Sequence, residues 1–582
     1  MAMAIPCLHN TKSRMLDCGQ SSPFLAGAAR MVSEVDIIII GAGSAGCVLA
    51  ERLSQDCDRQ VLVIEAGARG KTPTISVPAG FVHHFNSSRY NYCYRSEPEP
   101  ELGQQRVYQP RGKGVGGSGA INAMIYVRGD RRDFDDWAAV SSPRWSYDAV
   151  LPYFRRLERH HSEDTRYHGR DGSIGVLSTR DSAPELCHAF FAACDATGLP
   201  NNHDFNGERL DGYGFYDMNV RAGLRSSSAR EYLTPALKRS NLSLMTQTQA
   251  RRLVFEGRRA VGVEVACGGE RRTIKARQEV ILCAGAVDSP KLLQLSGVGD
   301  AKALARLGID SVIDNPRVGQ NLQDHLCGSL FFESREPTLN VTLGRLTGKL
   351  RAGWDYVSRR QGPLAFGVKH AGAFVPLEGT GLSGHGEHPV QESGDGHAKA
   401  QVFFNPISYA LPEEAGGRLV LHRHAEVSLF YNVCRPYSRG SVTLKSADPD
   451  DAPAIHNRYL SDARDKAELL AAFRQVRSLA SAGPLKDILV DHRGYADMHS
   501  DEAILDDFRA SCGSIYHLCG SCAMGTRLEN SVVDPSLKVH GAEGLRVVDA
   551  SIFPNITSGN TQAPTLMVAE VAADIIRQSW NT

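Results

Sequence analysis

The stretch Gly41-Ala42-Gly43-Ser44-Ala45-Gly46 directly follows the apolar run Val35–Ile40, and its G-x-G-x-x-G spacing is that of a phosphate cradle. Gly41 supplies a tight turn, Gly43 lets backbone amides approach a pyrophosphate, and Gly46 lets the following helix pack closely on the strand. The helix that opens here directs its partly positive N-terminus at the phosphates, with Ser44 and Ala45 beside them. Glu65, followed by Ala66, ends a second apolar run, Val61–Ile64, where an acid bonds ribose hydroxyls. Strand, turn, helix and acid in register predict dinucleotide binding. They do not separate a flavin from a nicotinamide dinucleotide.

A second glycine cluster follows at Gly112-Lys113-Gly114-Val115-Gly116-Gly117-Ser118-Gly119. It cannot continue a helix or pack as a strand, but its backbone can press against a flat or charged ligand. Cys519 and Cys522 form one C-x-x-C, which reads as two small residues in a tight segment. Residues 378–397, rich in Gly, His, Glu and Ser, read as a solvated surface insert. His385, His388 and His397 within it could take a metal, but no metal site is expected.

These residues need elements to position them. Val35–Ile40 and Val61–Ile64 are continuous apolar runs, the mark of strands buried on both faces of a parallel sheet, with a helix around Val48–Leu53 between them. Glu279–Cys283 and Leu545–Val548 read as further strands. Pro564–Gln578 reads as a helix, with Leu566, Val568, Val571, Ala572 and Ile575 at roughly helical spacing. A doubly wound, Rossmann-like α/β domain assembled from these pieces is discontinuous: 34–155, 227–325 and 513–582. Residues 156–226 and 326–512 then form a second, mixed α+β domain on an antiparallel sheet with helices. Phe403–Phe404, Val427–Tyr431 and Gly440–Leu444 read as its strands.

The bulk numbers agree with this division. A chain of 582 residues, 42% hydrophobic and 22% charged, is too long for one ordinary core. Its 65 basic residues balance 65 acidic ones, so no net-basic footprint for nucleic acid exists. No apolar stretch reaches transmembrane length. The 14 cysteines form no disulfide framework, which suits a reducing, cytoplasmic setting, peripheral membrane attachment included. Residues 1–33 resemble a weak organellar presequence, and Met31 reads as an alternative start.

The second glycine cluster runs on through Ile121-Asn122-Ala123-Met124 to Gly129, and this whole segment resembles the first signature of the glucose–methanol–choline (GMC) oxidoreductase family. The family more often has a second serine where this chain has Gly119. Gly285–Gly299 resembles the second signature, with Pro290 expected to open a helix and Gly297 to close it. Val318–His325 and the stretch from Tyr516-His517 to Glu570 are similar to two further family segments. The resemblance covers residues 34–578, with four motifs in order, and implies FAD rather than NAD. It implies cofactor contacts from Gly114, Gly116, Gly117, Ser118, Asn122, Ala123 and Met124. It adds Ala250, Ala284 and Gly285 at the adenosine end, Asp549 and Ala550 near the pyrophosphate, and Asn560, Thr561 and Gln562 near the flavin ring. Some members attach FAD through a histidine just before the signature asparagine; here that position is Ile121, so non-covalent FAD is expected.

The resemblance also implies the reaction: an alcohol is oxidised to an aldehyde or ketone, with hydride transfer to flavin N5. His517 is the implied general base, suited to it because a neutral imidazole is available near pH 7. Asn560 is its implied partner on the substrate oxygen. The chain as a whole most resembles the family's choline dehydrogenase and bacterial alcohol dehydrogenase branch, a resemblance that Asp204-Phe-Asn-Gly207 and Arg225–Arg230 support. Electrons would then pass to a quinone or other carrier, with an oxidase using O2 and a hydroxynitrile lyase as the alternatives. The family's fatty-acid decarboxylase is disfavoured by Lys369 and Phe403 at its cysteine and arginine positions, and by the presence of His517. A non-catalytic flavin scaffold is the remaining class. Phe366, Phe403–Asn405 and Tyr431 are candidates for the substrate cavity.

Overall fold

The computed structural model describes residues 33–70, 72–367, 369–377, 399–410 and 420–580. The N-terminal segment to residue 32 and the His-rich insert with His385, His388 and His397 lie outside them.

Among the described residues, Leu242–Met245, Val61–Ile64, Glu34–Ile40 and the long strand Glu270–Leu282 stand side by side in a parallel array. Leu545–Val547 joins the far half of that long strand in parallel, Val280 opposite Leu545. Its near half instead pairs antiparallel with Arg259–Cys267, which in turn pairs with Thr248–Glu256. The apolar runs at 35–40 and 61–64 are buried throughout, as strands covered on both faces must be. Helices Ser44–Leu53 and Gln562–Ser579 pack against each other. The second is apolar nearly all round, and its one buried acid, Glu570, is held by Arg52 at 2.8 Å, Arg156 at 2.8 Å and the Tyr232 hydroxyl at 2.8 Å.

The second large sheet is antiparallel, in the order Leu489–Val490, Leu326–Ser334, Glu426–Val433, Ala400–Asn405, Ala371–Val375, Gly212–Phe215. Alternation along its strands divides its residues between two faces. Phe404 and Tyr431 share one core with Leu469, Phe473 and Val476 of helix Ala463–Ala480. Phe403, Phe430 and Cys327 lie in another.

Two expectations are corrected. Gly440–Thr443 is a strand but not of this sheet; it pairs with Gln320–Leu322 and Ala454–His456 in a separate three-stranded unit. Pro290 does not open its helix, which spans Gly285–Leu295 and carries the proline inside. A proline there has no N–H for the carbonyl four residues back. That carbonyl, of Ala286, accepts instead from the Ser521 hydroxyl at 2.6 Å, so the interruption is satisfied across the fold. Gly297, at φ +83°, follows the helix end as expected.

Candidate active site

A cavity of about 930 Å³ runs from the C-terminal ends of the parallel strands to the inner face of the antiparallel sheet. Ligand crevices of α/β sheets lie at such strand ends. Gly41, Gly43, Ser44 and Ala45 line it from the first turn, and Glu65 and Ala66 from the end of the second strand. Gly117, Ser118, Asn122, Ala123 and Met124 come from the glycine-rich segment. Ala250, Ala284, Gly285, Asp549 and Ala550 close the same end, and His517, Asn560, Thr561 and Gln562 lie further along.

Three expected contacts are not on the wall. Gly46, Gly114 and Gly116 are crowded by the protein's own atoms. A Cβ on Gly46 would lie 1.9 Å from the Gly41 carbonyl oxygen. Gly114, at φ +136°, would press the Ala68 carbonyl, and Gly116, at φ +100°, the Ala120 side chain. Gly119 shows why serine is replaced there: a Cβ would meet Ser44 Oγ at 2.7 Å and Gln562 Nε2 at 2.9 Å, where those two side chains bond to each other at 3.0 Å.

The two acids at the dinucleotide end already hold backbone. Glu65 Oε2 accepts the Ala42 amide at 2.9 Å and Oε1 the Gly67 amide at 2.8 Å, so it braces the turn it follows. Burial pushes its carboxyl upward, and each oxygen keeps a second lone pair. Asp549 Oδ2 accepts the Gly285 amide at 2.9 Å and the Ser289 hydroxyl at 2.6 Å, tying the end of strand Leu545–Val547 to the start of helix Gly285–Leu295. At Gly285, φ +88°, a Cβ would meet nothing within 4 Å, so its backbone faces open space.

At the other end the chain reverses at Tyr516, which sits at φ +71°, a left-handed conformation costing on the order of 1 kcal/mol. Arg111 Nη2 holds the Tyr516 carbonyl at 2.5 Å, and Ser514 Oγ accepts its amide at 2.7 Å. The His517 amide then donates to Asp324 Oδ1 at 2.7 Å. Asp324 is fixed in turn by the hydroxyls of Tyr459 and Ser514, each at 2.5 Å.

The imidazole contacts determine a tautomer. His325 Nε2 lies 2.7 Å from the Cys434 carbonyl, which can only accept, so His325 carries its proton on Nε2. Its Nδ1 is therefore an acceptor, and it faces His517 Nδ1 at 2.9 Å. His517 must donate there, which leaves the lone pair on Nε2. That nitrogen takes a hydrogen bond from Asn560 Nδ2 at 3.1 Å. Burial, then the neighbouring His325 and the cations Arg111 and Lys369, holds His517 well below the usual imidazole pKa, so it is neutral near pH 7. Asn560 Oδ1 is buried with no partner among the described residues. Asn560 makes no cap for the following helix, whose N-cap is Thr561.

His325 and Asp324 end the segment Val318–His325, which sequence reasoning recognised without giving either residue a task. Lys369 stands on the cavity wall, its Nζ 3.8 Å from the Phe403 ring centroid and 4.9 Å from that of Phe430. Of the expected cavity aromatics only Phe403 lines it. Phe404 stacks on Phe190 at 4.8 Å and Tyr431 packs against Phe508, both on the opposite face of the sheet, while Asn405, on the Phe403 face, bonds Ser428 instead. Phe366 packs with Met124, Met218 and Val220.

These residues fit FAD: glycine backbone and Glu65 at one end, open backbone at Gly285 between, and a neutral imidazole with an unsatisfied amide oxygen at the other. Models of GMC oxidoreductases match residues 35–327 and 436–569. The chain belongs to the GMC oxidoreductase family. It is accordingly an FAD-dependent oxidoreductase, of a family that oxidises alcohols. It is 38% identical to an oxygen-dependent choline dehydrogenase of Brucella ovis over 93% of this chain and 95% of the relative. A GMC-type oxidoreductase of Mycobacterium tuberculosis is 40% identical, covering 94% of this chain and 100% of the relative. Among solved structures, pyridoxine 4-oxidase from Mesorbium loti superposes with a TM-score of 0.82 at 30% identity, over 94% of this GMC chain and 99% of that one. Two thiols of the Cys519/Cys522 pair are buried and free, with burial raising both, and they lie in the core rather than at the cavity.

Proposed function

We propose that this chain oxidises an alcohol to an aldehyde or ketone, with His517 Nε2 as the base and Asn560 on the substrate oxygen. The observation that carries this is the fixed neutral tautomer of His517, whose lone pair is turned from His325 toward Asn560. His517 accepts the hydroxyl proton as the carbon–hydrogen bond breaks. Asn560 Nδ2, relieved of the imidazole by the arriving hydroxyl, donates to the oxygen as negative charge develops there. The imidazolium so formed keeps its Nδ1–H bonded to His325. FAD, when bound, supplies the hydride acceptor.

Glu65 and the Gly41–Ala45 turn suit the dinucleotide end, and Gln562 and Thr561 the ring end. Non-covalent FAD is supported by Ile121, a hydrocarbon on the cavity wall where a linking histidine would stand. A dehydrogenase that passes electrons to a quinone is supported by the surface. Leu346, Leu350, Trp354 and Val357 form an exposed stripe along helix Leu346–Arg359, beside Lys349 and Arg351. Such a stripe suits the face of an anionic membrane, where quinones dissolve. Among the described residues no helix is long and apolar enough to cross one.

The test is anaerobic mixing of the FAD-loaded protein with primary aliphatic, benzylic and amino alcohols, followed by air or a short-chain quinone. Bleaching of the flavin by an alcohol, with faster recovery on quinone than on air, is expected. No bleaching across the panel contradicts alcohol oxidation, and faster recovery in air makes the enzyme an oxidase.

A further inference from the structure

A buried charge needs a partner, and among the described residues Lys369 has none. It lies just before strand Ala371–Val375, is 9% exposed, and lines the same cavity as His517. Among the described residues Nζ makes no ion pair or hydrogen bond; its neighbours are the faces of Phe403 and Phe430. A lysine serving only to pack would run its ammonium out to water. The groups around it supply no anion: burial raises the Cys327 thiol to about 11 and raises the Tyr409 phenol further above its ordinary value. Arg111, the other cation acting on His517, is already committed to the carbonyls of Pro110 and Tyr516. Lys369 is thus an uncommitted cation at the reacting end of the cavity.

Resting on the reading of this cavity as an alcohol-oxidising site, we propose that Lys369 receives a carboxylate of the substrate, so that the enzyme acts on hydroxy-carboxylates in preference to neutral or cationic alcohols. The carboxylate sits against the ammonium and the carbinol against His517. Phe403 and Phe430 flank the ammonium, so the part of the substrate nearest the carboxylate is apolar. Burial lowers the Lys369 ammonium to about 8, so it is still mostly charged at pH 7, and an arriving anion pays back part of that desolvation. The same charge opposes a quaternary ammonium such as the choline named for the Brucella relative.

The experiment has a binding arm and a turnover arm on FAD-loaded protein, comparing wild type, Lys369→Met and Lys369→Arg. In the first, benzoate, which has no alcohol to oxidise, is titrated while the oxidised flavin spectrum is followed. Benzoate is expected to perturb the wild-type spectrum, to bind at least tenfold more weakly to Lys369→Met, and to be largely restored in Lys369→Arg. In the second, 4-(hydroxymethyl)benzoate, its methyl ester and choline reduce the flavin anaerobically. The acid is expected to lead the ester by at least tenfold in wild type and to lose that lead in Lys369→Met. No benzoate binding to wild type, binding indifferent to Lys369→Met, or a wild-type preference for the ester or choline overturns the proposal. Lysine-dependent benzoate binding with no bleaching by any alcohol would instead keep the anion site and overturn the alcohol-oxidising reading. FAD content of each variant reports whether it has folded.

Discussion

Two buried histidines in this protein are held in opposite charge states. His168 lies between two carboxylates, Glu158 Oε1 at 3.0 Å from Nδ1 and Asp204 Oδ2 at 2.7 Å from Nε2, with Arg128 on Glu158 at 2.5 Å. Burial pulls its pKa down, but the hydrogen bonds to Asp204 and Glu158 outweigh it and lift it to about 9. His517 is also buried, yet its imidazole partners are a neutral histidine and an amide, with the cations Arg111 and Lys369 nearby. Nothing offsets the loss of water, and it stays neutral. Depth alone therefore does not decide the role of a histidine; the charge of what touches it does. The first arrangement ties the 126–128 segment to the Asp204–Asn206 loop and can do no proton chemistry near neutrality. The second presents a lone pair.

The comparison breaks most visibly if the anion between Arg128 and His168 is removed. Glu158→Ala leaves two buried cations facing each other and is expected to cost about 3–5 kcal/mol of stability. Thermal denaturation reads this, while the flavin reduction rate of the folded, FAD-loaded fraction stays within about twofold of wild type.

pH sharpens the same contrast. His168 is raised in the folded state, so its contribution is fully present below about 6.5 and is lost as pH rises through about 9. A shift of that size is worth on the order of 3 kcal/mol. His517 and His325 are lowered, so their contribution is full above about 6.5 and is lost as pH falls below it. Stability measured by denaturant titration is expected to decline on both sides, and His168→Gln to flatten the alkaline limb alone. The smallest effect is on tautomer control. His325→Phe removes the acceptor that fixes the His517 proton on Nδ1 and is expected to slow flavin reduction by roughly 100-fold, about 2.7 kcal/mol, with FAD retained.

Much of this was legible from residue order. Val35–Ile40, Gly41–Gly46, Val61–Ile64 and Glu65 carry local signals, because strand burial and glycine turns depend on near neighbours. Phe403 and Phe404 show where that ends: both read as strand, but only the assembled sheet says which side chain faces the cavity. Gly440–Thr443 was likewise legible as a strand and not as to partner. His325 reaches His517 across the fold, and no spacing within either segment announces the contact. Gly46, Gly114 and Gly116 lie off the cavity wall, and residue order does not show it, because a glycine crowded by its own fold and one that borders a cavity are the same letter.

The central claim is that His517 Nε2 removes the alcohol proton. Stopped-flow anaerobic reduction of wild type and His517→Ala, with the same reducing alcohol and matched FAD content, tests it most directly. The account predicts that His517→Ala stays yellow and FAD-loaded but is reduced slower by about three orders of magnitude or more. Reduction within about tenfold of wild type would contradict it.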